Sequence, residues 1–362
     1  MKNTSKLLSE ANISNLVNTI FETTPAVGIS IVAGSVSDIY YEQSFGVIHS
    51  SSDIKISSRT LFDIQSITKV VATTALLEKF ILNQMISLND PVIQYLPELS
   101  GYNKTDIKII DLVLHQSGIS DEDFVRDFSS ASELWNEMFN TELRFSPGSS
   151  IEYTDVGYRL LGLCLERVGG NNLDQLCKKN VWSTLGMEQT TYNFSSNSST
   201  IPKTMIAGHG DSWGLVDDAQ DRLLAQPLGC DGVFSSSKDL VIFCRNMLTK
   251  LSDSDYFNNL MAVSAGQTNG TWSFYESLGI GKKIFGWEQH HENQSYLGKK
   301  HTPYSLEKAG GAGAFICIRP EKNDFLIYLT NHGKPEPFSM ESWNNLVSNL
   351  KVREIAEGIL NL

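Results

Sequence analysis

Ser66 and Lys69 stand three residues apart at the head of a segment whose apolar positions, Val70, Val71, Leu76, Leu77, Phe80 and Ile81, have helical spacing. Side chains at that separation share a helix face, so the amine can lie beside the hydroxyl. Burial is expected to lower the lysine pKa until it accepts the serine proton, which would make Ser66 a nucleophile for covalent acyl transfer. The start of a helix also presents N–H groups and a positive dipole end to a developing oxyanion. The same spacing recurs at Ser52/Lys55, Ser235/Lys238 and Ser305/Lys308. The apolar Leu61-Phe62 lead-in, polar Gln65 and the apolar run that follows favour Ser66, whereas Ser52 lies in a polar turn and Ser235 in a Ser-Ser-Ser cap. The alternative for Ser66 is an N-cap serine with an incidental lysine.

Two further constellations could complete such a site. After the Pro147-Gly148 turn, Tyr153 and Asp155 stand just before a second helical pattern. A phenol there can relay protons if a nearby ammonium lowers its pKa, although a half-buried tyrosine with Asp155 as N-cap accounts for the same residues. The rival Tyr256-Phe257-Asn258 lacks the preceding turn. Farther on, Lys308, Ala309, Gly310 and Gly311 open a glycine-rich strand. Glycines let a ligand lie against a strand edge, so the Gly311 N–H can join an oxyanion hole while Lys308 adds positive potential; a glycine-rich turn with a solvated lysine is the other reading.

The elements that must position these residues lie at both ends of the chain. Residues 4–22 carry an amphipathic helical pattern, residues 26–47 read as a β-hairpin, residues 313–330 as a second hairpin around Pro320-Glu-Lys-Asn, and a closing helix is expected over 342–360. Helices and loops dominate the middle, with a surface loop at 195–200. The expectation is an α/β chain of α+β type. Its antiparallel sheet is built from 1–65 plus 270–362, a mainly helical domain at 66–269 is inserted, and the active site lies in the cleft between them.

Composition narrows the function classes. The 362 residues are 41% apolar, as in ordinary globular proteins, and the net charge is −12. No basic stripe offsets that acid excess, which argues against nucleic acid or an anionic membrane as partner. The N-terminal stretch has no continuous apolar run and no long apolar span follows, so a cytoplasmic chain is expected. Five cysteines, Cys164, Cys177, Cys230, Cys244 and Cys317, show no CxxC spacing and read as buried thiols; His290-His291 reads as a loop pair. No cofactor or metal is implied. The expected partner is a small-molecule acyl substrate, and no oligomeric state is indicated.

Taken in order, these pieces resemble the serine β-lactamase and penicillin-binding-protein superfamily, more closely its class C β-lactamase, D-alanyl-D-alanine carboxypeptidase and family VIII esterase branch. The resemblance spans nearly the whole chain. Beyond Ser66-Ile-Thr-Lys69 it includes the stretches 88–99, 107–118 (ending His115-Gln-Ser-Gly), Phe145-Ser-Pro-Gly, Leu185-Gly-Met and 232–240. It implies a β-lactamase/transpeptidase-like fold, Ser66 as the acylated nucleophile, Lys69 and Tyr153 as the unit that moves its proton, and Lys308 in the strand motif. The N–H groups of Ser66 and Gly311 would form the oxyanion hole.

Two positions depart from the family pattern. Asp155 stands where an amide is usual, and Ala309 where Thr or Ser often contacts a substrate carboxylate. An ionised Asp155 adds negative charge to the cleft, unless it pairs with Lys69 or a helix end. Both changes point toward neutral esters or amine-bearing substrates. The expected activity is a serine hydrolase or acyltransferase with an acyl-Ser66 intermediate, most readily an esterase. A D-amino-acid amidase or peptidase and a weak β-lactamase share the fold, and a non-catalytic penicillin-binding-like sensor is the alternative from another class.

Overall fold

In a computed structural model that describes residues 10–101, 103–194, 200–264, 282–290, 295–333 and 351–360, both ends of the chain meet in one sheet. The hairpin β1 (Gly28–Ser35) and β2 (Ile39–Gly46) lies beside β11 (Asp324–Thr330). The strand order is β2-β1-β11-β10-β9-β8-β7, where β7 is Lys282–Ile284, β8 Trp287–Gln289, β9 Leu306–Ala309 and β10 Phe315–Arg319. Every pairing in it is antiparallel; Ile31 faces Tyr328 and Phe315 faces Ala309 in register. The mixed α/β architecture with an antiparallel sheet is the one expected from the sequence. Asn323, at φ +52°, makes the left-handed turn between β10 and β11 that Pro320-Glu-Lys-Asn suggests.

Strand alternation explains why β10 and β11 are apolar throughout. Phe315, Cys317, Leu326 and Tyr328 face one side, where they pack with Ile13, Val17 and Ile20 of the helix Glu10–Thr23 and with Ile355 and Ile359 of the helix Val352–Ile359. Ile316, Ile318, Phe325, Ile327 and Leu329 face the other side and join the larger core with Leu240, Phe243 and Leu248. A sheet covered on both faces needs apolar residues at successive positions. The expected helical positions 4–9 and 342–350, and the loop positions 195–199, lie outside the described residues.

The middle of the chain holds more than helices. A second sheet, order β4-β6-β3-β5, joins β3 (Leu61–Asp63), β4 (Thr191–Tyr192), β5 (Ile206–Ala207) and β6 (Val233–Ser235). Its strands are two or three residues long, too short to show a period. The helix Ser237–Leu251, within the stretch read as the helical middle, lies against β1, β10 and β11. All five cysteines are buried and unpaired. No helix among the described residues is long and apolar enough to cross a membrane.

Asp239 ties this helix to the second sheet. Its Oδ2 accepts the Gln189 and Thr190 N–H groups and the Thr190 hydroxyl, each at 2.8 Å. Asp239→Ala removes the shared acceptor of these three donors beside a strand, and hydrogen bonds to a charged group are worth about 1.5–3 kcal/mol each before relaxation. The expected outcome is a fall of about 2–3 kcal/mol in stability, read as a lower urea midpoint at unchanged m-value.

Candidate active site

The turn that carries Ser66 is fixed from the second sheet. Asp63, at the end of β3, accepts the Gln65 N–H on one oxygen (3.0 Å) and the Asp217 N–H on the other (2.9 Å), while Ile64 N–H donates to Val233 (3.1 Å). Gln65 adopts φ +42°, a left-handed conformation that is uncommon outside glycine. Ser66 sits in a single 3₁₀ turn, Gln65–Ile67, and Lys69–Thr73 continues as a π-helical turn before the α-helix Thr74–Leu82. Ser66 is therefore not an N-cap: the cap position is Ile64 and no side chain caps the turn.

The lysine end is set by close backbone approach. Gly229 lies against the helix Asp155–Gly169, so a Cβ on it would fall 2.1 Å from the Tyr158 carbonyl oxygen. The same segment accepts the Thr73 hydroxyl at Gly229 (2.6 Å) and the Lys69 ammonium at Cys230 (3.3 Å). Lys69 Nζ, fully buried, also donates to Ser66 Oγ at 2.8 Å and to Asp155 Oδ1 at 2.6 Å. Those three acceptors match the three hydrogens of an ammonium.

This differs from the expected lysine. Burial does press its pKa down, but Asp155, with Tyr153 and Asp231 adding, more than reverses that and holds the pKa well above the ordinary value. Lys69 is an ammonium in the resting site. Asp155 pairs with it and is not the helix cap: Thr154 takes that position, its hydroxyl facing Gly157 N–H, and the Asp121 carboxylate accepts the Asp155 and Val156 N–H groups. Asp155 thus carries a neutralised charge, which withdraws its support from an argument against anionic substrates or for a substrate ammonium.

Tyr153 is 37% exposed, yet its hydroxyl turns in and donates to Ser66 Oγ at 2.9 Å. Withdrawal from water keeps the phenol pKa well above its ordinary value, with Lys69 opposing and Asp155 and Glu288 adding to the rise. The expected lowering by a nearby ammonium is outweighed. Three ammonium groups lie over its ring: Lys308 at 4.8 Å, Lys69 at 5.0 Å and Lys283 at 5.1 Å from the centroid.

Lys308 is 1% exposed, so the solvated-lysine reading fails; its Nζ donates to Glu288 Oε1 at 2.8 Å. Burial, with Lys69 and Lys283 repelling and Glu288 opposing, brings its pKa down to about 8. Ala309 pairs with Phe315, and Gly310 N–H donates to Ala314 (2.8 Å). A Cβ at Gly310 would lie 2.7 Å from the Ile64 carbonyl oxygen, so this strand end runs against the Ser66 turn with Gly311 next along it. Ser66, Lys69, Tyr153, Asp155 and Lys308 are thus linked by direct contacts, and Ala309 to Gly311 border them.

Four neighbours were absent from the sequence reading as site residues. Lys283 and Glu288 are register partners across the β7–β8 hairpin and form an ion pair at 3.0 Å; opposite charges flanking Ile284-Phe-Gly-Trp287 are the signal that could have found them. His115, at φ +58°, accepts the Thr154 N–H on Nδ1 (3.1 Å) and stacks on Tyr153 with centroids 4.4 Å apart. Burial and the nearby lysines hold its pKa well below the ordinary value, so it is a neutral ring that braces the phenol. His290, read as part of a loop pair, places Nε2 3.2 Å from Glu288, and His291 lies outside the described residues.

Asp155, Cys230 and Asp231 have ligand atoms within 4.8 Å of one another. The Lys69 ammonium already supplies the cation there, so the cluster does not fit a metal. A cavity lined by Val70, Thr74, Phe243, Met247 and Trp287 lies behind the Lys69 helix and does not include Ser66.

The depressed Lys308 pKa has a stability consequence with a definite sign. Between pH 8 and about 10.5 the unfolded chain holds this proton and the folded chain does not, so stability rises with pH through that window. Lys308→Met should flatten the rise by up to about 1.4 kcal/mol per pH unit, measured by urea unfolding at pH 8, 9 and 10.

Comparison with known proteins gives the family and the fold. The Beta-lactamase family model matches residues 17–348. The D-alanyl-D-alanine-carboxypeptidase/endopeptidase AmpH of Escherichia coli (strain K12) is 25% identical over 328 residues, 84% of this chain and 79% of that protein. A relative from Salmonella typhimurium is 26% identical over 228 residues, and the chain spans about half of its length, 52%. Among solved structures, EstCE1, described as a hydrolase with promiscuous acyltransferase activity, superposes with a TM-score of 0.73 at 18% identity over 96% of this chain and 97% of its own. With the fold shared along the whole length and the family pattern matched over most of it, the chain belongs to the Beta-lactamase family of serine hydrolases.

Proposed function

We propose that the chain hydrolyses or transfers acyl groups through an acyl-Ser66 intermediate, with esters as the preferred donors. The observation that carries this reading is the convergence on one hydroxyl: Ser66 Oγ lies 2.8 Å from Lys69 Nζ, three residues on, and 2.9 Å from Tyr153 Oη, 87 residues away along the chain. As Ser66 Oγ attacks the ester carbonyl carbon, its proton passes to the Lys69/Tyr153 unit.

Because Lys69 rests as an ammonium and Tyr153 as a neutral phenol, that unit takes up the serine proton only after Lys69 has handed a proton to Asp155: the serine proton then goes to Lys69 directly, or to the Tyr153 oxygen as Tyr153 passes its own proton to Lys69. The same proton then goes to the departing alkoxide, leaving acyl-Ser66. Water or an acceptor alcohol or amine attacks the acyl carbon by the reverse route and restores Ser66 Oγ–H. The N–H groups of Ser66 and Gly311 are the proposed donors to the oxyanion, supported by the contact of Gly310 with Ile64. Ala309 still favours esters over carboxylate-bearing donors, since it offers no hydroxyl.

A peptidase reading draws on the carboxypeptidase/endopeptidase relative, which aligns over most of the chain. Turnover separates the readings. With a panel of p-nitrophenyl esters and a fluorescent penicillin, the expected outcome is ester turnover with an acyl adduct by intact mass. Ser66→Ala should abolish the adduct and lower turnover by at least about a thousandfold. An adduct without turnover would indicate the sensor, and efficient penicillin or D-alanyl peptide hydrolysis would replace esters as the preferred substrate. Gly310→Ala, which forces its Cβ onto a backbone oxygen, should lower ester kcat by about 10²–10³-fold while far-UV dichroism stays native.

A further inference from the structure

Asp155 has to take a proton during the attack, yet two features of its place oppose that. It pairs with the Lys69 ammonium at 2.6 Å, and it opens the helix Asp155–Gly169, whose first N–H groups favour a negative charge. A carboxyl so placed gives up its proton readily. Two further carboxylates offset this, and the acyl-transfer chemistry gives neither of them a task.

Asp121 lies against the same helix end. Its Oδ2 accepts the Asp155 N–H at 2.6 Å, and its Oδ1 accepts the Val156 N–H at 3.1 Å and the Thr154 hydroxyl. Those three donors are uncharged, so the negative charge of Asp121 acts on Asp155, and the repulsion works both ways: burial, with Asp155 adding, raises the Asp121 pKa. Asp231, buried, brings a carboxylate oxygen within 4.8 Å of one on Asp155. The other groups facing Asp155 are Tyr153, Cys230, Arg159 and Asp221, and the last two pair with each other at 2.6 Å. Asp155 therefore has one ammonium and two like charges beside it, and like charges at this range raise the proton affinity of a carboxylate.

We propose that Asp121 and Asp231 are positioning residues that make Asp155 a usable proton acceptor, and that Asp121 also fixes its backbone beside Lys69. The inference rests on the acyl-Ser66 reading for the reaction it serves. As the bond from Ser66 Oγ to the acyl carbon forms and the carbonyl electron pair moves onto oxygen, the serine proton reaches Lys69 and a Lys69 proton passes to Asp155. When the bond to the alkoxide breaks, Lys69 protonates the leaving oxygen and recovers its proton from Asp155.

The test sets Asp231→Asn, which removes a charge and leaves the helix end intact, beside Asp121→Asn, which also turns one acceptor oxygen into a donor. With p-nitrophenyl esters both should move the acid limb of kcat/KM down by at least about half a pH unit while the plateau falls about threefold to tenfold, since a weaker base ionises at lower pH and takes up a proton less well. In an Asp155→Asn background, Asp231→Asn should change neither. A measurement independent of turnover follows the Asp155 carboxyl by carbon-13 NMR in aspartate-labelled Ser66→Ala, the signal being identified by its loss in Asp155→Asn. Its titration midpoint should fall by at least about half a pH unit when Asp231→Asn is added. A folded Asp231→Asn with limb and midpoint unchanged overturns the proposal, as does a loss of kcat with an unmoved limb, the mark of a merely structural part. A fallen midpoint in a protein that turns over no ester upholds the coupling of Asp231 to Asp155 and removes the acyl-transfer reading.

Discussion

The site depends on burying one ammonium. Lys69 has no exposed surface, and a charge so placed is tolerated only with an opposite charge and hydrogen-bond acceptors on every side. Asp155, Ser66 Oγ and the Cys230 carbonyl supply them from three separate segments. Each segment must therefore be held to within a few tenths of an ångström, and the surrounding structure does this with rigid contacts. Gly229 packs against the Asp155 helix where no side chain would fit, Asp63 anchors the Ser66 turn with two hydrogen bonds, and Asp121 holds the start of the Asp155 helix. Removing any one acceptor leaves a buried cation short of a partner, so the groups that surround Ser66 stand or fall together.

Around that pair each ammonium meets a carboxylate, with one positive charge left over. Lys69 is matched by Asp155, and Lys283 and Lys308 share Glu288. Tyr153 lies between the two groups with ammonium charges on its ring face and His115 stacked against it. A neutral histidine suits that position, since a fourth positive charge against the same ring would be repelled by the other three. The seven-stranded sheet brings Lys308, Lys283 and Glu288 to this point on three neighbouring strands, and the second sheet brings Ser66; the site forms where the end of β9 meets the turn after β3.

Much of this was legible in the chain itself. The alternating β-branched run at 26–33 and the short apolar runs on either side of Pro320-Glu-Lys-Asn announce strands, and the strong local signal at Ser66-Ile-Thr-Lys69, Tyr153 and Lys308 singles out the residues that converge. The four short strands of the second sheet were not legible, because two or three residues carry no period and pair only when distant segments meet. Lys283 and Glu288 were hidden for a related reason. On paper they are ordinary surface charges of a hairpin, and only a β9 neighbour bearing Lys308 turns them into a buried network.

The sequence by itself determined which side chains gather around Ser66 and that both ends of the chain share an antiparallel sheet, since residue type and local periodicity are properties of short segments. Tertiary structure decided the protonation states and the electrostatic environment. Lys69 was expected to be an amine because burial favours the neutral form, yet it is an ammonium because Asp155, 86 residues away along the chain, lies 2.6 Å from it. Burial and charge act through distances in space, and those distances exist only once the chain has folded.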